Sequence, residues 1–314
     1  MRAPSLSVVV PVYNSAGILP ALIDRLEPVL RAQGSTFELL LIDDNSRDDS
    51  WKVVQELSQR HPWVRGVHMM RNYGQHNALL CGIRRARHEV VVTMDDDLQH
   101  PPEEIPRLLE ELARGHDVVY GSPEKEQHGL LRDLASVVTK FALQNAMGSA
   151  TAQRSSAFRV FRTDLRRSFE NYRGQFVSID VLLTWGSTRF SALDVRHDPR
   201  QEGVSNYTLK KLITHALNML TGFSAFPLQL ASLTGFVLTL FGIGILVYVV
   251  IGFFLRGSDE APGFPFLASI IAIFSGAQLF ALGIMGEYLA RMHFRMMERP
   301  TYAIGEETPD VEEA

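Results

Sequence analysis

Two long stretches without a charged side chain limit what this sequence can fold into more than any other feature. No Asp, Glu, Lys or Arg occurs from Leu212 to Leu255 or from Ala261 to Gly286. About 20 apolar residues in a helix cross the hydrocarbon core of a bilayer, so Leu228–Leu255 and Phe264–Met285 each predict a membrane span. A pair of buried core helices is the alternative, although soluble helices rarely run this long without a charged face.

Basic residues near the two predicted spans indicate their orientation. Two lysines precede the first span and three arginines follow the second, whereas the connecting loop holds one arginine against two acids. The positive-inside rule therefore predicts that both termini and the large N-terminal region lie in the cytoplasm, with the spans in the inner (plasma) membrane. These residues are Lys210 and Lys211, then Arg291, Arg295 and Arg299, and in the loop Arg256, Asp259 and Glu260.

Apolar residues recur at helical spacing immediately before the first span. This pattern predicts an amphipathic helix lying in the membrane interface, and a helix packed on the N-terminal domain fits it equally well. We therefore expect a cytoplasmic domain over residues 1–206, an interfacial helix over 207–227, a two-helix membrane region over 228–289 and a cytoplasmic tail over 290–314. The apolar residues are Leu209, Leu212, Ile213, Ala216, Leu217 and Leu220.

Short apolar runs alternate with helical patterns through the first 120 residues. This alternation predicts an α/β fold whose mostly parallel sheet is covered on both faces. The predicted strands are Leu6–Val12, Phe37–Ile42, Val64–Met69, Glu89–Met94 and Val118–Tyr120, and the predicted helices are Leu19–Ala32, Asp49–Gln59, His76–Ala86 and Pro102–Arg114.

A polar cluster follows each of four predicted strands. Ligands of open parallel sheets bind beyond the carboxyl ends of the strands, so the four clusters predict one functional edge. They are Pro11–Asn14, Asp43–Ser46, Arg71–His76 and Asp95–Gln99.

The most informative cluster is VVVTMDDDLQHPPEE, from Val90 to Glu104. Alternation along an extended segment would send Asp95 and Asp97 to one side and Asp96 to the other. Paired carboxylates on a strand end suit Mg²⁺ or Mn²⁺, with diphosphate oxygens completing the metal shell. Capping of the following helix could explain one of these aspartates, but not three in a row behind a buried strand.

The other clusters favour a bound nucleotide. Asp43 and Asp44 could accept hydrogen bonds from a nucleobase or a ribose, and Tyr13 could stack on a base. The third cluster combines Arg71, Gly74 and a helix start, where a guanidinium and free main-chain N–H groups could hold phosphate or sugar oxygens.

Bulk composition excludes some other classes of protein. The formal net charge of −4 gives no electrostatic reason to expect a nucleic-acid partner. The single cysteine, Cys81, excludes an intramolecular disulfide. The spacing of the histidines does not predict a zinc site.

The segments SVVVPVYN, LLLIDDNSRDDS, RNYGQHNALLCG and TMDDDLQHPPEEIPRL together resemble the conserved blocks of family 2 inverting glycosyltransferases. Their order, the two spans that follow and the closing GEYLAR resemble the polyprenyl-phosphate glycosyltransferases in particular. The resemblance implies a GT-A fold, a nucleotide-sugar donor that is UDP-linked by family habit, Mg²⁺ or Mn²⁺, and a polyprenyl phosphate acceptor such as undecaprenyl phosphate. Related bacterial enzymes also make a homotetramer an expectation.

The same resemblance assigns site residues. It implies that Asp95, Asp97 and Gln99 bind the metal and diphosphate, and that Asp97, Arg132 and Arg200 carry catalysis. The acceptor phosphate is assigned to Arg132, Ser136, Arg200 and Ser205. The nucleotide-sugar pocket is assigned to Pro11, Tyr13, Asn14, Asp43, Asp44, Arg71, Gly74, Gln75, Asp95 and Asp96.

The sequence departs from the family pattern on the acceptor side. RQEGVSNY has Asn206 where the family usually has lysine, and GSPEKE places Pro123 and Glu126 where an arginine is common. Arg159 is a further candidate for offsetting the repulsion between the two anionic substrates, and a lipid headgroup contact or a structural ion pair is the simpler interpretation of it.

Two other functions remain compatible with parts of this pattern. A processive polysaccharide synthase would carry Q-x-x-R-W, but none of Trp51, Trp63 and Trp185 follows an arginine. A non-catalytic membrane scaffold could retain the nucleotide-sugar fold for binding alone, and only product formation separates it from a transferase.

Overall fold

The computed structural model describes residues 3–123, 154–174, 177–198, 226–256, 264–297 and 299–309. The chain divides into two compact units. One contains Met1–Ala216 together with Arg299–Ala314, and the other contains Leu217–Glu298.

The first unit is built on a sheet that has eight strands within the described residues, in the order β7-β5-β6-β4-β1-β2-β3-β8. In chain order, the strands and α-helices of this unit are β1 (Leu6–Val12), α1 (Leu19–Ala32), β2 (Phe37–Asp43), α2 (Ser50–Arg60), β3 (Val64–Met69), α3 (Gln75–Arg85), β4 (Val90–Thr93), α4 (Ile105–Ala113), β5 (Val118–Pro123), β6 (Arg159–Arg162), α5 (Ile179–Thr184), β7 (Phe190–Val195) and β8 (Ile304–Glu307). Two short 3₁₀ helices lie at Pro102–Glu104 and Thr163–Ser168.

The predicted parallel sheet is confirmed. Strand β1 pairs in parallel with β2 and β4, β2 pairs in parallel with β3, and β5 does so with β7. Strands β6 and β8 run antiparallel to their neighbours. Because β6 is inserted in reverse between β4 and β5, the amino end of β6 lies at the same edge as the carboxyl ends of β4 and β5.

The pattern of apolar residues explains why these elements form. Every residue of β1 (LSVVVPV) is buried, as expected for a strand covered on both faces. Helix α1 buries one stripe at helical spacing, and each fully buried leucine contributes roughly 1.5–3 kcal/mol relative to an exposed one. That stripe is Leu19, Leu22, Ile23, Leu26 and Leu30.

Glycine at position 82 sets how closely α3 approaches the sheet. A Cβ atom at Gly82 would collide with the side chain of Val9 and lie 3.1 Å from Cγ1 of Ile42. The missing side chain therefore lets α3 pack tightly against β1 and β2.

The segment after the second long helix forms β8, a strand that the sequence patterns did not predict. β8 pairs antiparallel with β3, and the Thr308 hydroxyl accepts a hydrogen bond from the Gly66 main-chain N–H at 2.8 Å. The Trp51 indole N–H donates to Glu306 at 2.9 Å. Part of the segment expected to be a tail, residues 299–309, thus belongs to the first unit and covers the edge of β3.

The second unit contains α6 (Phe226–Arg256) and α7 (Phe264–Met296). Both are long and apolar enough to cross a membrane. Of their most apolar segments, Leu228–Ile245 is 6 % buried inside the protein and Ile273–His293 is 0 % buried. This low burial does not fit the alternative of core helices. The predicted interfacial helix over 207–227 lies outside the described residues, apart from its last two positions, which begin α6.

Candidate functional site

The four predicted polar clusters do meet at one edge of the sheet. Strands β4, β1, β2 and β3 are parallel neighbours, so the loops that follow them lie side by side. Main-chain hydrogen bonds extend the contact beyond the strands, since the N–H of Asp44 donates to Val12 at 2.9 Å.

The acidic motif forms a turn rather than a continuation of the strand. β4 ends at Thr93, and Leu98 has a φ of 57°. The expected alternation along an extended segment is therefore wrong for residues 95–97. Asp95 faces α3 and accepts a hydrogen bond from the Gln75 side-chain amide at 2.5 Å, while Asp97, which is buried, accepts one from the main-chain N–H of Gln99 at 3.1 Å.

Asp96 turns toward the loop after β1. It hydrogen-bonds the Ser15 side chain and the main chain of Tyr13. Burial raises the pKa of Asp96 to about 6, and the negative charge of Asp97 acts in the same direction. Asp96 therefore points away from Asp95 because it bonds to the loop after β1, and not because side chains alternate along a strand.

The residues of the acidic turn fit a divalent cation only if the cation is shared with a substrate. Asp95, Asp97 and Gln99 offer hard oxygen donors close together in the chain. Among the described residues, no group of three or more His, Cys, Asp or Glu is arranged to hold a metal ion by itself. Mg²⁺ commonly binds through one or two carboxylates plus substrate phosphates, and this donor set matches that kind of site.

Asp43 is fully buried and bonded within the protein. Its carboxylate accepts hydrogen bonds from the side chain and the main-chain N–H of Ser46, and it lies 2.6 Å from Nδ1 of His68. The Ser46 hydroxyl in turn accepts a hydrogen bond from the main-chain N–H of Asn14 at 2.9 Å. Asp43 and Ser46 therefore connect the loops that follow β1 and β2 to His68 on β3.

Asp44 holds the turn that opens α3. Its two oxygens accept hydrogen bonds from the main-chain N–H groups of Tyr73 and Gly74, each at 2.7 Å. Burial raises the pKa of Asp44 to about 6, although these two bonds oppose the shift. The N–H of Gly74 is thus engaged inside the protein, so it is not one of the free N–H groups that we expect at this helix start.

The predicted pocket residues divide into exposed and buried ones. Tyr13 is 37 % exposed, Asn14 and Gln75 are exposed, and Pro11 is buried within β1. Arg71 is also exposed, and its guanidinium lies 4.6 Å from the centre of the Tyr73 ring. Tyr13 and Arg71 therefore present side chains that a ligand at this edge can reach.

Sequence reasoning missed the segment that enters β6. The Thr93 hydroxyl donates to the carbonyl of Ala157 at 2.8 Å, and the Ser122 hydroxyl donates to the carbonyl of Arg154. These bonds place residues 154–158 between the acidic turn and the end of β5. Only the reversed direction of β6 brings them to this edge, and no local sequence signal indicates it.

Two histidines extend the site on the same side. His197, just past β7, lies with its Nε2 atom 3.4 Å from the Gln99 side-chain nitrogen, and its ring centre is 5.1 Å from that of His100. Burial lowers the pKa of His100 to about 4, and His197 adds to the shift. His100 is therefore neutral at neutral pH.

Arg159 forms a structural ion pair, one of the two simpler interpretations of this residue. Its side chain is 2 % exposed, and Nη1 lies 2.6 Å from Asp180. Tyr120 donates to the same carboxylate at 3.0 Å. These contacts lock the first residue of β6 to α5.

Several predicted residues lie outside the described part of the chain. They are Arg132, Ser136, Arg200, Ser205, Glu126 and Asn206. The departure at Pro123 can be located, since Pro123 is the last residue of β5.

Residues 7–169 match the glycosyl transferase family 2 domain, which spans the four loops and the acidic turn. This chain belongs to glycosyl transferase family 2. The expected GT-A type of sheet is confirmed, together with two candidate membrane helices that follow it.

Curated relatives extend the similarity along nearly the whole chain. An undecaprenyl-phosphate 4-deoxy-4-formamido-L-arabinose transferase of Pectobacterium carotovorum subsp. carotovorum (strain PC1) is 35 % identical over 303 residues, covering 96 % of this chain and 92 % of that protein. The corresponding transferase of Pseudomonas paraeruginosa (strain DSM 24068 / PA7) is 34 % identical over 95 % of this chain and 89 % of its own length.

A solved structure supports the fold. Glucosyl-3-phosphoglycerate synthase from Mycobacterium tuberculosis, in complex with Mn²⁺, UDP-glucose and phosphoglyceric acid, superposes with a TM-score of 0.51 at 19 % identity. The match covers 69 % of this chain and 78 % of that one.

Proposed function

We propose that this glycosyltransferase moves a sugar from a UDP-linked donor to a polyprenyl phosphate, with inversion at the anomeric carbon. The observation that carries the proposal is the similarity to undecaprenyl-phosphate transferases over 96 % of the chain. The match extends over 303 residues, so it is not confined to the catalytic domain but reaches into the region of the two long helices. The names of these relatives make UDP-4-deoxy-4-formamido-L-arabinose the first donor to test.

We assign the two sides of the acidic turn to the two substrates. The donor side consists of the loops after β1, β2 and β3, where Tyr13 and Arg71 are exposed. The acceptor side consists of residues 154–158 and 194–198. A diphosphate held at Asp95 and Asp97 would place the nucleoside over the donor side and the reacting sugar toward the acceptor side.

In this proposal the protein positions two anions rather than moving a proton. A phosphate monoester is already anionic near neutral pH, so its oxygen can attack the anomeric carbon with little help from a general base. When bound at Asp95, Asp97 and Gln99, Mg²⁺ or Mn²⁺ would stabilise negative charge on the departing diphosphate. Asp43, Asp44 and Asp96 keep the surrounding loops in place, and Arg132, Ser136, Arg200 and Ser205 remain proposed contacts of the acceptor phosphate.

The membrane topology is part of the proposal. Strand β8 follows α7 and pairs with β3, so the chain returns to the catalytic sheet after both long helices. Together with the positive-inside pattern, this supports a catalytic unit and both termini in the cytoplasm. Cysteines introduced at Ser258 and Glu306, with Cys81 replaced, should react with a membrane-impermeant maleimide from opposite faces. Labelling from the same face would contradict this topology.

The direct test of function is product formation. The full chain in nanodiscs containing undecaprenyl phosphate would be incubated with a panel of UDP-sugars and Mg²⁺ or Mn²⁺, and lipid extracts would be analysed by mass spectrometry. We expect a lipid-linked sugar whose anomeric proton, measured by NMR, has the configuration opposite to that of the donor. UDP binding without a lipid product would favour a scaffold, and a lengthening glycan would favour a processive synthase. Native mass spectrometry of the same sample would test the expected homotetramer.

A further inference from the structure

Arg154 stands at the carboxyl edge of the sheet, on the acceptor side of the acidic turn. Its carbonyl accepts a hydrogen bond from Ser122 near the end of β5. Two residues further on, the Ser156 hydroxyl lies 3.4 Å from Nε2 of His100, which follows the acidic turn. Arg154 is therefore attached to the frame that surrounds the proposed reaction centre, although neither sequence patterns nor the family resemblance singled it out.

The ion pair that Arg154 makes can exchange partners. Nη2 of Arg154 lies 2.5 Å from Asp194 on β7, and the two side chains are 37 % and 59 % exposed. Ion pairs this accessible contribute little to stability and are screened by solvent. Arg159, 2 % exposed against Asp180, is the contrasting case of a guanidinium fixed inside the protein.

A phosphate monoester is a stronger partner for this guanidinium than Asp194. Such a group carries a charge of about −1.5 to −2 near neutral pH. Its oxygens also match the fork of donors on an arginine side chain, which can bind two of them at once. Asp194 would then compete with the phosphate for Arg154 and also repel it.

We propose that Arg154 binds the phosphate monoester of the acceptor, and that Asp194 holds the guanidinium when no acceptor is present. The inference rests on the proposed function, since it assigns a residue to the phosphate of that reaction. Arg154 would also supply a positively charged side chain near the end of β5, where the family commonly has an arginine and this chain has Pro123.

An exposed arginine at the other edge of the sheet serves as a control. Arg189 pairs with Asp117 at 2.7 Å and is 65 % exposed, although its carboxylate partner is only 10 % exposed. These two residues precede the same two strands, β7 and β5, so their pair lies at the opposite, amino edge of the sheet. Asp117 would keep Arg162 and Ser187 as partners if Arg189 were replaced.

The experiment measures lipid binding and turnover separately. Native mass spectrometry of the full chain released from nanodiscs would give the affinity for undecaprenyl phosphate in wild type, Arg154→Ala, Arg154→Lys, Asp194→Asn and Arg189→Ala. Initial rates with UDP-4-deoxy-4-formamido-L-arabinose would give KM for each substrate. Inorganic phosphate, added as a competitor, distinguishes recognition of the bare phosphate from recognition of the lipid.

Arg154→Ala should weaken lipid-phosphate binding and raise the acceptor KM roughly 10- to 100-fold, as expected when a charge-assisted hydrogen bond is lost. The donor KM should not change. Arg154→Lys should recover part of the loss, and Arg189→Ala should behave as wild type. Asp194→Asn should bind the lipid as tightly as wild type or more tightly, because the competing carboxylate is gone. Inorganic phosphate should compete with the lipid in wild type and lose this effect in Arg154→Ala.

Unchanged lipid binding in Arg154→Ala would overturn the inference. So would an equal loss in Arg154→Ala and Asp194→Asn, because it would mean that the ion pair is only structural. If wild type binds undecaprenyl phosphate through Arg154 but forms no lipid-linked sugar with any donor, the proposed function fails while the phosphate site stands.

Discussion

Asp44 on the donor side and Arg154 on the acceptor side lie at the same edge of the sheet, but their surroundings differ. Asp44 is 3 % exposed and accepts two main-chain hydrogen bonds at 2.7 Å. Arg154 is 37 % exposed and is held by a carboxylate that is itself 59 % exposed. The buried charge is satisfied by fixed partners, whereas the exposed one has a partner that solvent or a ligand can replace.

Under the proposed assignment of the two sides, this difference has a consequence for how each would work. On the proposed donor side, burial and hydrogen bonds at Asp43, Asp44 and Asp96 hold the loops together within the protein. On the proposed acceptor side, the exposed ion pair leaves Arg154 able to exchange its carboxylate partner for another anion. Substitutions on the donor side should therefore change stability, and those on the acceptor side should change substrate affinity with little effect on stability.

The largest effect is expected at the acidic turn that separates the two sides. Asp97→Asn should lower kcat/KM roughly 10²- to 10³-fold, as the loss of a group that stabilises transition-state charge typically does. Steady-state transfer to undecaprenyl phosphate measures it. Asp49→Asn is a suitable control, because the Asp49 side chain makes no capping hydrogen bond at the start of α2. Full activity of Asp97→Asn would remove this residue from the site.

A smaller effect is expected when a buried carboxylate on the donor side is removed. Asp44→Ala leaves the N–H groups of Tyr73 and Gly74 without their acceptor, which should cost about 1–3 kcal/mol of stability. Thermal unfolding followed by tryptophan fluorescence in detergent measures the change in Tm. A Tm equal to that of wild type would contradict the idea that Asp44 assembles this turn.

The titration of Asp44 tests the same contact through pH. Its pKa in the folded protein, about 6, lies above the ordinary value of 3.8 because of burial. The stability that protonation contributes is complete below pH 3.8 and is lost as pH rises through about 6. Relative to Asp44→Asn, wild type should lose at most about 1.4 kcal/mol per pH unit across this window. Parallel Tm profiles of the two proteins between pH 4 and 7 would rule out this titration.

The smallest effect on stability is expected on the acceptor side. Arg196 is exposed and pairs with Asp198 at 3.1 Å. Arg196→Ala should change the free energy of unfolding by less than about 1 kcal/mol, the usual limit for an exposed pair. A Tm loss as large as that of Asp44→Ala would break the distinction between the two sides.

The sequence predicts the donor side of the molecule better than the acceptor side. Strands β1 and β3 and helix α1 have the predicted bounds, because covered parallel strands leave short apolar runs and amphipathic helices leave a periodic apolar stripe. The acidic turn and the donor-side loops follow such strands, so they too could be located. The carboxylates of Asp43 and Asp44, which we expect to contact the nucleotide, also bond to neighbouring segments of the protein, and no local pattern reveals these bonds.

The acceptor side and β8 depend on long-range pairing. Arg154 reaches the site only because β6 runs antiparallel between β4 and β5. Strand β8 has four residues, two of them glutamate, and it is stabilised by β3, Trp51 and Thr308 at great sequence separation. Neither element has a local pattern strong enough to identify it.

The division of the site between two substrates is tested most directly by UDP binding without the acceptor. Isothermal titration of UDP with Mn²⁺ into the full chain, in nanodiscs free of polyprenyl phosphate, would compare wild type with Asp97→Asn and Arg154→Ala. The division predicts that Asp97→Asn weakens UDP binding by at least about tenfold, or 1.4 kcal/mol, while Arg154→Ala changes the Kd by less than about twofold. Equal weakening of UDP binding by the two substitutions would contradict it.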